Sequence, residues 1–206
     1  MTKKALILVD IQNDFCPGGS MGLSQGDQVI EPANKLAEEF VARGDLVVAT
    51  SDSHPSNHAS FASQHEGAKP FESIEFEGGE RMLLPDHCIE GTYGHAFHSD
   101  LRSDLIERVF KKGTGVTYDS YSGFFDNDQK NTSGLDDYLK ENGIEEVWVV
   151  GLTTVRCVKA TATDAAKHGY KTIVYAPACR ASDLHVDLVE QAFEDIIAAG
   201  CEVIYE

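Results

Sequence analysis

Glu146-Val147-Trp148-Val149-Val150-Gly151-Leu152-Thr153-Thr154-Val155-Arg156-Cys157 decides the fold. Residues 146–151 are almost all apolar, β-branched or aromatic, and the run stops at a glycine. That is the pattern of a strand buried on both faces of a parallel sheet. A helical pattern follows over 154–168 and ends before Gly169, a residue type that caps helices by adopting a left-handed conformation. The pair predicts one β-then-α unit, with Trp148 in the core.

The same signature recurs outward in both directions. Residues 5–10, 45–50, 171–176 and 202–205 read as further strands, and 107–112 as a weaker one. Helical patterns cover 28–43, 100–107, 133–142 and 184–199. Ser133 is placed to cap its helix. Repeated helix stops at glycine, each leading into a strand, predict an α/β chain. The expected architecture is a single-domain three-layer αβα fold with a mainly parallel, about six-stranded Rossmann-like sheet. A length of 206 residues suits one such domain.

Residues 51–99 break the rhythm, with no clear strand or long helix. Six of the eight histidines fall there: His54, His58, His65, His87, His95 and His98. Long loops inside compact domains are usually functional or disordered, and the clustering of imidazoles argues for function. Composition narrows the partners. A formal net charge of −17 argues against nucleic acid or an anionic membrane, and no apolar run approaches the length of a membrane span. The five cysteines, Cys16, Cys88, Cys157, Cys179 and Cys201, are scattered and contain no C-x-x-C pair. That usage fits the reducing cytoplasm and leaves a thiol available for chemistry.

Ligands of open α/β sheets bind beyond the carboxyl ends of the strands, and this rule selects the candidate site. It brings together Asp10, the Asp52-Ser53-His54 run, Lys111-Lys112 and, past Gly151, Cys157. Cys157 falls in the first turn of its helix, where the positive end of the dipole favours a thiolate. The residue reads equally as a buried structural cysteine. Asp10 is a base for that thiol or a solvated strand-end acid. Strand alternation lets only one of Lys111 and Lys112 face the site. Asp52, His54 and His58 have the character of ligands for Zn, Fe or Mn, with His87 the best further nitrogen; a polar surface loop is the alternative. Gly18-Gly19 and Gly113-Thr114-Gly115 are loop glycines, and Asp126-Asn127-Asp128 reads as a turn.

Val9-Asp10-Ile11-Gln12-Asn13-Asp14-Phe15-Cys16-Pro17-Gly18-Gly19, Asp52-x-His54-Pro55-x-x-His58, Pro85-Asp86-His87-Cys88-Ile89-x-Gly91-Thr92, Asp119-Ser120-Tyr121-Ser122-Gly123-Phe124-Phe125 and Gly151-Leu152-Thr153-Thr154-x-x-Cys157-Val158 together resemble the nicotinamidase/pyrazinamidase family of isochorismatase-like cysteine hydrolases. The motifs stand in the family's order over nearly the whole chain. The resemblance implies one isochorismatase-like hydrolase domain over 1–206, with a metal-binding loop region at about 51–99.

It implies a cytoplasmic amidohydrolase acting on a linear amide, converting nicotinamide to nicotinate and ammonia in NAD salvage, with pyrazinamide as a side substrate. It assigns Asp10, Lys112 and Cys157 as the catalytic triad. One divalent metal ion, zinc first and Fe or Mn as alternatives, falls to Asp52, His54, His58 and His87 and holds the pyridine nitrogen. Amides of Thr153 and Cys157 serve the oxyanion, beside a cis Leu152–Thr153 peptide. Phe15, Leu84 and Tyr121 line the pocket. Leu84 departs from the family's usual Trp, and Val155 and Arg156 from its usual acidic and aromatic or His residues. A homo-oligomer is compatible with this reading. The competing expectations are an amidase of another small amide, such as a carbamoyl or ureido compound, and a non-catalytic metal- or ligand-binding protein on the same scaffold.

Overall fold

The structure, a computed structural model, describes residues 2–76 and 79–206; Met1, Glu77 and Gly78, which fall within the expected domain, lie outside the described residues. Its centre is the first strand, β1 (Lys4–Val9). Ala5, Ile7 and Val9 enter one core cluster while Leu6 and Leu8 enter the other. A strand buried on both faces cannot show polar alternation, which explains its unbroken apolar run.

The remaining sheet strands are β2 (Leu46–Asp52), β5 (Arg108–Lys112), β6 (Glu146–Leu152), β7 (Lys171–Arg180) and β8 (Glu202–Ile204). They form one six-stranded sheet in the order β5-β2-β1-β6-β7-β8, with every pairing parallel. Helix α1 (Ile30–Arg43) covers one face through Ala33, Leu36, Ala37 and Phe40. Helices α2 (Leu135–Glu141), α3 (Lys159–Lys167) and α4 (Val189–Ala198) supply Leu135, Leu139, Ala162, Ala165 and Ile196 to the other. The three-layer αβα arrangement is the expected one.

Several local expectations change. The 100–107 pattern forms only a 3-10 turn at Ser103–Leu105, since so short and polar a segment cannot sustain a helix. Helix α4 starts later than residue 184, after a 3-10 segment Asp183–Leu188. The 154–168 helix opens as a π-helical turn, Thr154–Val158, before α3 begins. Ser133 does accept the Leu135 amide, at 3.1 Å, although Gly134 is the residue flanking α2. The histidine-rich region contains an antiparallel hairpin of β3 (Ser73–Phe76) and β4 (Gly79–Met82), whose short, half-polar strands carry no clear periodic signal. Strand β7 continues through Pro177, beyond the stretch paired with β8, so the proline's missing donor leaves no ladder bond unmade on that side. Trp148 is half-buried, its indole donating to Glu146 Oε1 at 2.8 Å.

Glu146 fastens the amino ends of three adjacent strands. It is 3% exposed, with Lys4 of β1 at 2.7 Å and Lys171 of β7 at 3.0 Å. Burial alone would raise its carboxyl, but the hydrogen bonds from Lys4, Trp148 and Lys171 outweigh it and lower the pKa from 4.5 to about 2. A depressed carboxyl stabilises the fold above its unfolded pKa, and that contribution fades as pH falls from 4.5 towards 2. Glu146→Gln should therefore cost about 2 kcal/mol at neutral pH in urea denaturation, the deficit shrinking over that acid window. A deficit independent of pH would contradict this assignment.

Candidate active site and metal centre

The parallel register gathers the chemistry at one edge. Val9 pairs with Thr50 on one side and Gly151 on the other, and Asp52 pairs with Lys112. Asp10, immediately past β1, has φ of 49°, a left-handed conformation uncommon outside glycine though tolerated by Asp. Beside it, Gly151 has φ of 122°, and any Cβ there would collide with the Val9 carbonyl. Only glycine lets β6 approach β1 so closely at the edge where the site opens.

Asp10, Lys112 and Cys157 converge as expected, all three buried. Thr50 Oγ1 donates to Asp10 Oδ1 at 2.7 Å. Lys112 Nζ lies 2.9 Å from Asp10 Oδ2 but off the line of a hydrogen bond, so that oxygen has no aligned donor among the described residues. The ammonium also pairs with Asp52, donates to the Ser120 carbonyl at 2.8 Å and lies 3.6 Å from Cys157 Sγ. Strand alternation is resolved: Lys112 points inward, and Lys111 pairs with Glu90 at the surface.

The charges follow from burial and neighbours. Burial lifts Asp10 to about 6 against the pull of Lys112, with Asp52 adding to the rise. Burial opposes the Lys112 charge, but Asp10 and Asp52 overcome it and hold the ammonium well above 10.5. Burial also pushes the Cys157 thiol up, Lys112 opposing and Asp10 adding to it. This corrects the helix-dipole expectation. Cys157 is one of the buried residues of the π-helical turn, and desolvation, the largest effect on it, favours the thiol over the thiolate.

Asp52, His54 and His87 form a second buried cluster, with ligand atoms within 4.8 Å of one another. His54 Nδ1 donates to the Gly113 carbonyl at 2.8 Å, and His87 Nδ1 to the Pro85 carbonyl at 2.9 Å. Carbonyls only accept, so both rings keep the Nε2 lone pair for a ligand, an arrangement typical of metal-binding histidines. Burial lowers His54 to about 4 despite Asp52, which keeps it neutral. Burial would raise Asp52, but the Lys112 ammonium, through its charge and its hydrogen bond, outweighs that and keeps it ionised. An anionic oxygen and neutral imidazoles are the donor set of a divalent transition metal.

His58 is brought to this cluster differently. It groups with His54 and Asp119. Its Nδ1 accepts from the Ser60 amide at 3.3 Å, while Nε2 faces the Tyr118 carbonyl at 3.3 Å. Ligation through Nε2 would require that contact to be given up. His65, His95 and His98 bond elsewhere, to the Ala59 carbonyl, to Ser53 and to the Asp100 amide.

The remaining expected residues border the two clusters. Phe15 meets the His87 ring edge-on at 5.9 Å. Half-buried Leu84 bridges to Phe61, and Tyr121 accepts from Arg156 Nη1 at 2.9 Å. The Leu152–Thr153 peptide is cis; Thr153 immediately precedes the π-helical turn and Cys157 lies within it. Sequence reasoning missed Phe61, whose ring packs against His54, His58 and His87 at 5.5–5.7 Å. It also missed Thr50, Ser60 and Asp119 as supports; single polar residues carry no spacing signal. All five cysteines are free, and no helix among the described residues is long and apolar enough to cross a membrane. A surface depression of about 440 Å³ beside α1, lined by residues such as Asp27, Glu31 and Asp100, shares nothing with either cluster.

The isochorismatase domain matches residues 4–205. A nicotinamidase of Escherichia coli is 42% identical over 97% of this chain and 93% of its own length. A solved nicotinamidase–pyrazinamidase of Acinetobacter baumanii superimposes with a TM-score of 0.90 at 43% identity, covering 99% and 96% of the two chains. A pyrazinamidase of Pyrococcus horikoshii, solved in complex with zinc, gives a TM-score of 0.80 at 33% identity over 99% of both chains.

Replacing Lys112 by Met should leave Asp10 and Asp52 as like charges without a counterion. The expected loss at neutral pH is about 3–5 kcal/mol in chemical denaturation; a protein as stable as wild type would show that the ammonium is dispensable.

Proposed function

The chain belongs to the isochorismatase domain family, and on that premise we propose that it is a cysteine amidohydrolase that converts nicotinamide to nicotinate and ammonia, a reaction of NAD salvage. The observation that carries this reading is the buried constellation of a thiol, an incompletely bonded carboxylate and an ammonium beside a metal-type donor set. The similarity to nicotinamidases over almost the full length supports the choice of substrate. An amidase without a metal would have no need of the second cluster. The free cysteines are consistent with a cytoplasmic setting.

In this mechanism Asp10 takes the Cys157 proton, and the sulfur attacks the carboxamide carbon. The carbonyl π pair moves to oxygen, where the amides of Thr153 and Cys157 receive it. As the tetrahedral intermediate collapses, Asp10 returns the proton to the departing nitrogen and ammonia leaves. Asp10 then takes a proton from water, whose oxygen attacks the thioester carbon; as the carbon–sulfur bond breaks, Asp10 returns that proton to the departing Cys157 sulfur, and the acid formed loses its own proton to leave as nicotinate. Lys112 holds Asp10 in place and offsets negative charge as it develops. Asp10 suits a proton carrier because its pKa, about 6, lies near the operating pH.

Asp52, His54 and His87, with His58 as a fourth donor, would hold one divalent ion, zinc being favoured by the nitrogen-rich set. Such an ion supplies a Lewis-acid site for the pyridine nitrogen. Phe15, Leu84 and Tyr121 would line the ring pocket.

Ammonia release on nicotinamide tests the proposal. Cys157→Ala should reduce it by about 10⁴-fold or more, and wild-type turnover by that variant would refute the mechanism. For the metal, a stoichiometric addition of zinc to metal-stripped protein should raise its thermal midpoint. The same addition to a His54→Ala protein should raise it much less; equal shifts would exclude this cluster as the site.

A further inference from the structure

Arg156 precedes the candidate nucleophile and reaches Tyr121 on the loop that follows β5. Its Nη1 donates to Tyr121 Oη at 2.9 Å, and its guanidinium carbon lies 5.3 Å from the centre of the Tyr121 ring. Both contacts belong to one side chain, so the guanidinium fixes the ring's position as well as its hydroxyl. Burial pushes the Tyr121 hydroxyl pKa up, with Arg156 opposing; the group stays a phenol and accepts through oxygen.

Two further contacts fix the backbone around this ring. Lys112 bonds the carbonyl of the preceding Ser120 at 2.8 Å, and the Tyr121 amide donates to Asn127 Oδ1 at 3.1 Å. Neither reaches the ring itself. The Tyr121 ring is half-buried against the core cluster that contains Cys157, and Arg156 supplies the hydrogen bond that holds its hydroxyl end. Guanidinium–aromatic contacts within about 6 Å are attractive, and arginine's planar fork makes such a contact together with a directed hydrogen bond, which lysine cannot do equally well.

We infer that Arg156 is a positioning residue that clamps Tyr121 as one wall of the pocket for a flat aromatic amide, and so sets affinity and selectivity for ring amides without taking part in the chemical step. The clamp ties the turn bearing the nucleophile to the loop bearing the wall, so sulfur and ring keep a common reference. This inference rests on the hydrolase reading for its substrate and on Tyr121 lining the ring pocket. A wall lost from an aromatic pocket penalises a planar ring more than a small aliphatic amide, because the ring loses its stacking surface.

Steady-state ammonia release should be compared for wild type, Arg156→Ala, Arg156→Lys, Tyr121→Phe and the Arg156→Ala/Tyr121→Phe double variant. Arg156→Ala should raise KM for nicotinamide about five- to tenfold, with a smaller effect on kcat. Arg156→Lys should recover part of the loss. The double variant should be little worse than Arg156→Ala alone, since the shared contact is already gone. An unchanged KM in Arg156→Ala, or effects of the two substitutions that multiply independently, would overturn the clamp.

Calorimetric titration of nicotinamide into Cys157→Ala and Cys157→Ala/Arg156→Ala proteins, where it is not consumed, separates this inference from the activity. If wild type released no ammonia, the hydrolase reading would fail while the clamp would still require weaker binding when Arg156 is replaced. Equal affinities in the two proteins, or no binding to either, would overturn it.

Discussion

A charged lysine side chain, 2% exposed, is the constraint around which the rest of the site is arranged. An unpaired ammonium cannot persist in a protein interior. Lys112 is compensated by Asp10 and Asp52 and bonded to the Ser120 carbonyl. Those partners come from separate parts of the chain: the end of β1, the end of β2 and the loop carrying Tyr121. One cation thus draws the candidate base, a candidate metal ligand and the pocket loop to a common centre, with the thiol of Cys157 at its edge. The two clusters are electrostatically one unit because Asp52 belongs to both.

The sheet makes this meeting possible. Parallel strands all deliver their carboxyl ends to one edge, and the register of β5 on β2 sets Lys112 opposite Asp52. The close approach of β6 to β1 at Gly151 and the left-handed Asp10 then turn the chain into the site instead of continuing the strands. Burial does the remaining work. It raises Asp10 towards neutrality and favours the Cys157 thiol over the thiolate, which is why the proposed mechanism begins with a proton transfer within the site.

Much of this was legible in the sequence because the determining signals are local. Buried parallel strands are continuous apolar runs, so β1 and β6 stand out, and the strand-end rule selects Asp10, the Lys111–Lys112 pair and Cys157 from sequence alone. Alternation could say that one of Lys111 and Lys112 faces inward, but only the pairing with β2 decides which. The thiol's charge was misjudged because the helix dipole is visible in sequence whereas desolvation is a property of the assembled core. Phe61 and Thr50 were missed for a related reason: each acts through a neighbour distant in the chain. The β3–β4 hairpin was missed because its strands are short and half-exposed.

The proposed acyl transfer places covalent chemistry at the Cys157 sulfur, and partitioning by hydroxylamine tests that most directly. A thioester on Cys157 can be cleaved by hydroxylamine as well as by water. Nicotinamide turnover in increasing hydroxylamine should therefore yield nicotinohydroxamate at the expense of nicotinate, and the Cys157→Ala protein should yield neither. Nicotinate as the sole product at every hydroxylamine concentration would contradict acyl transfer through Cys157.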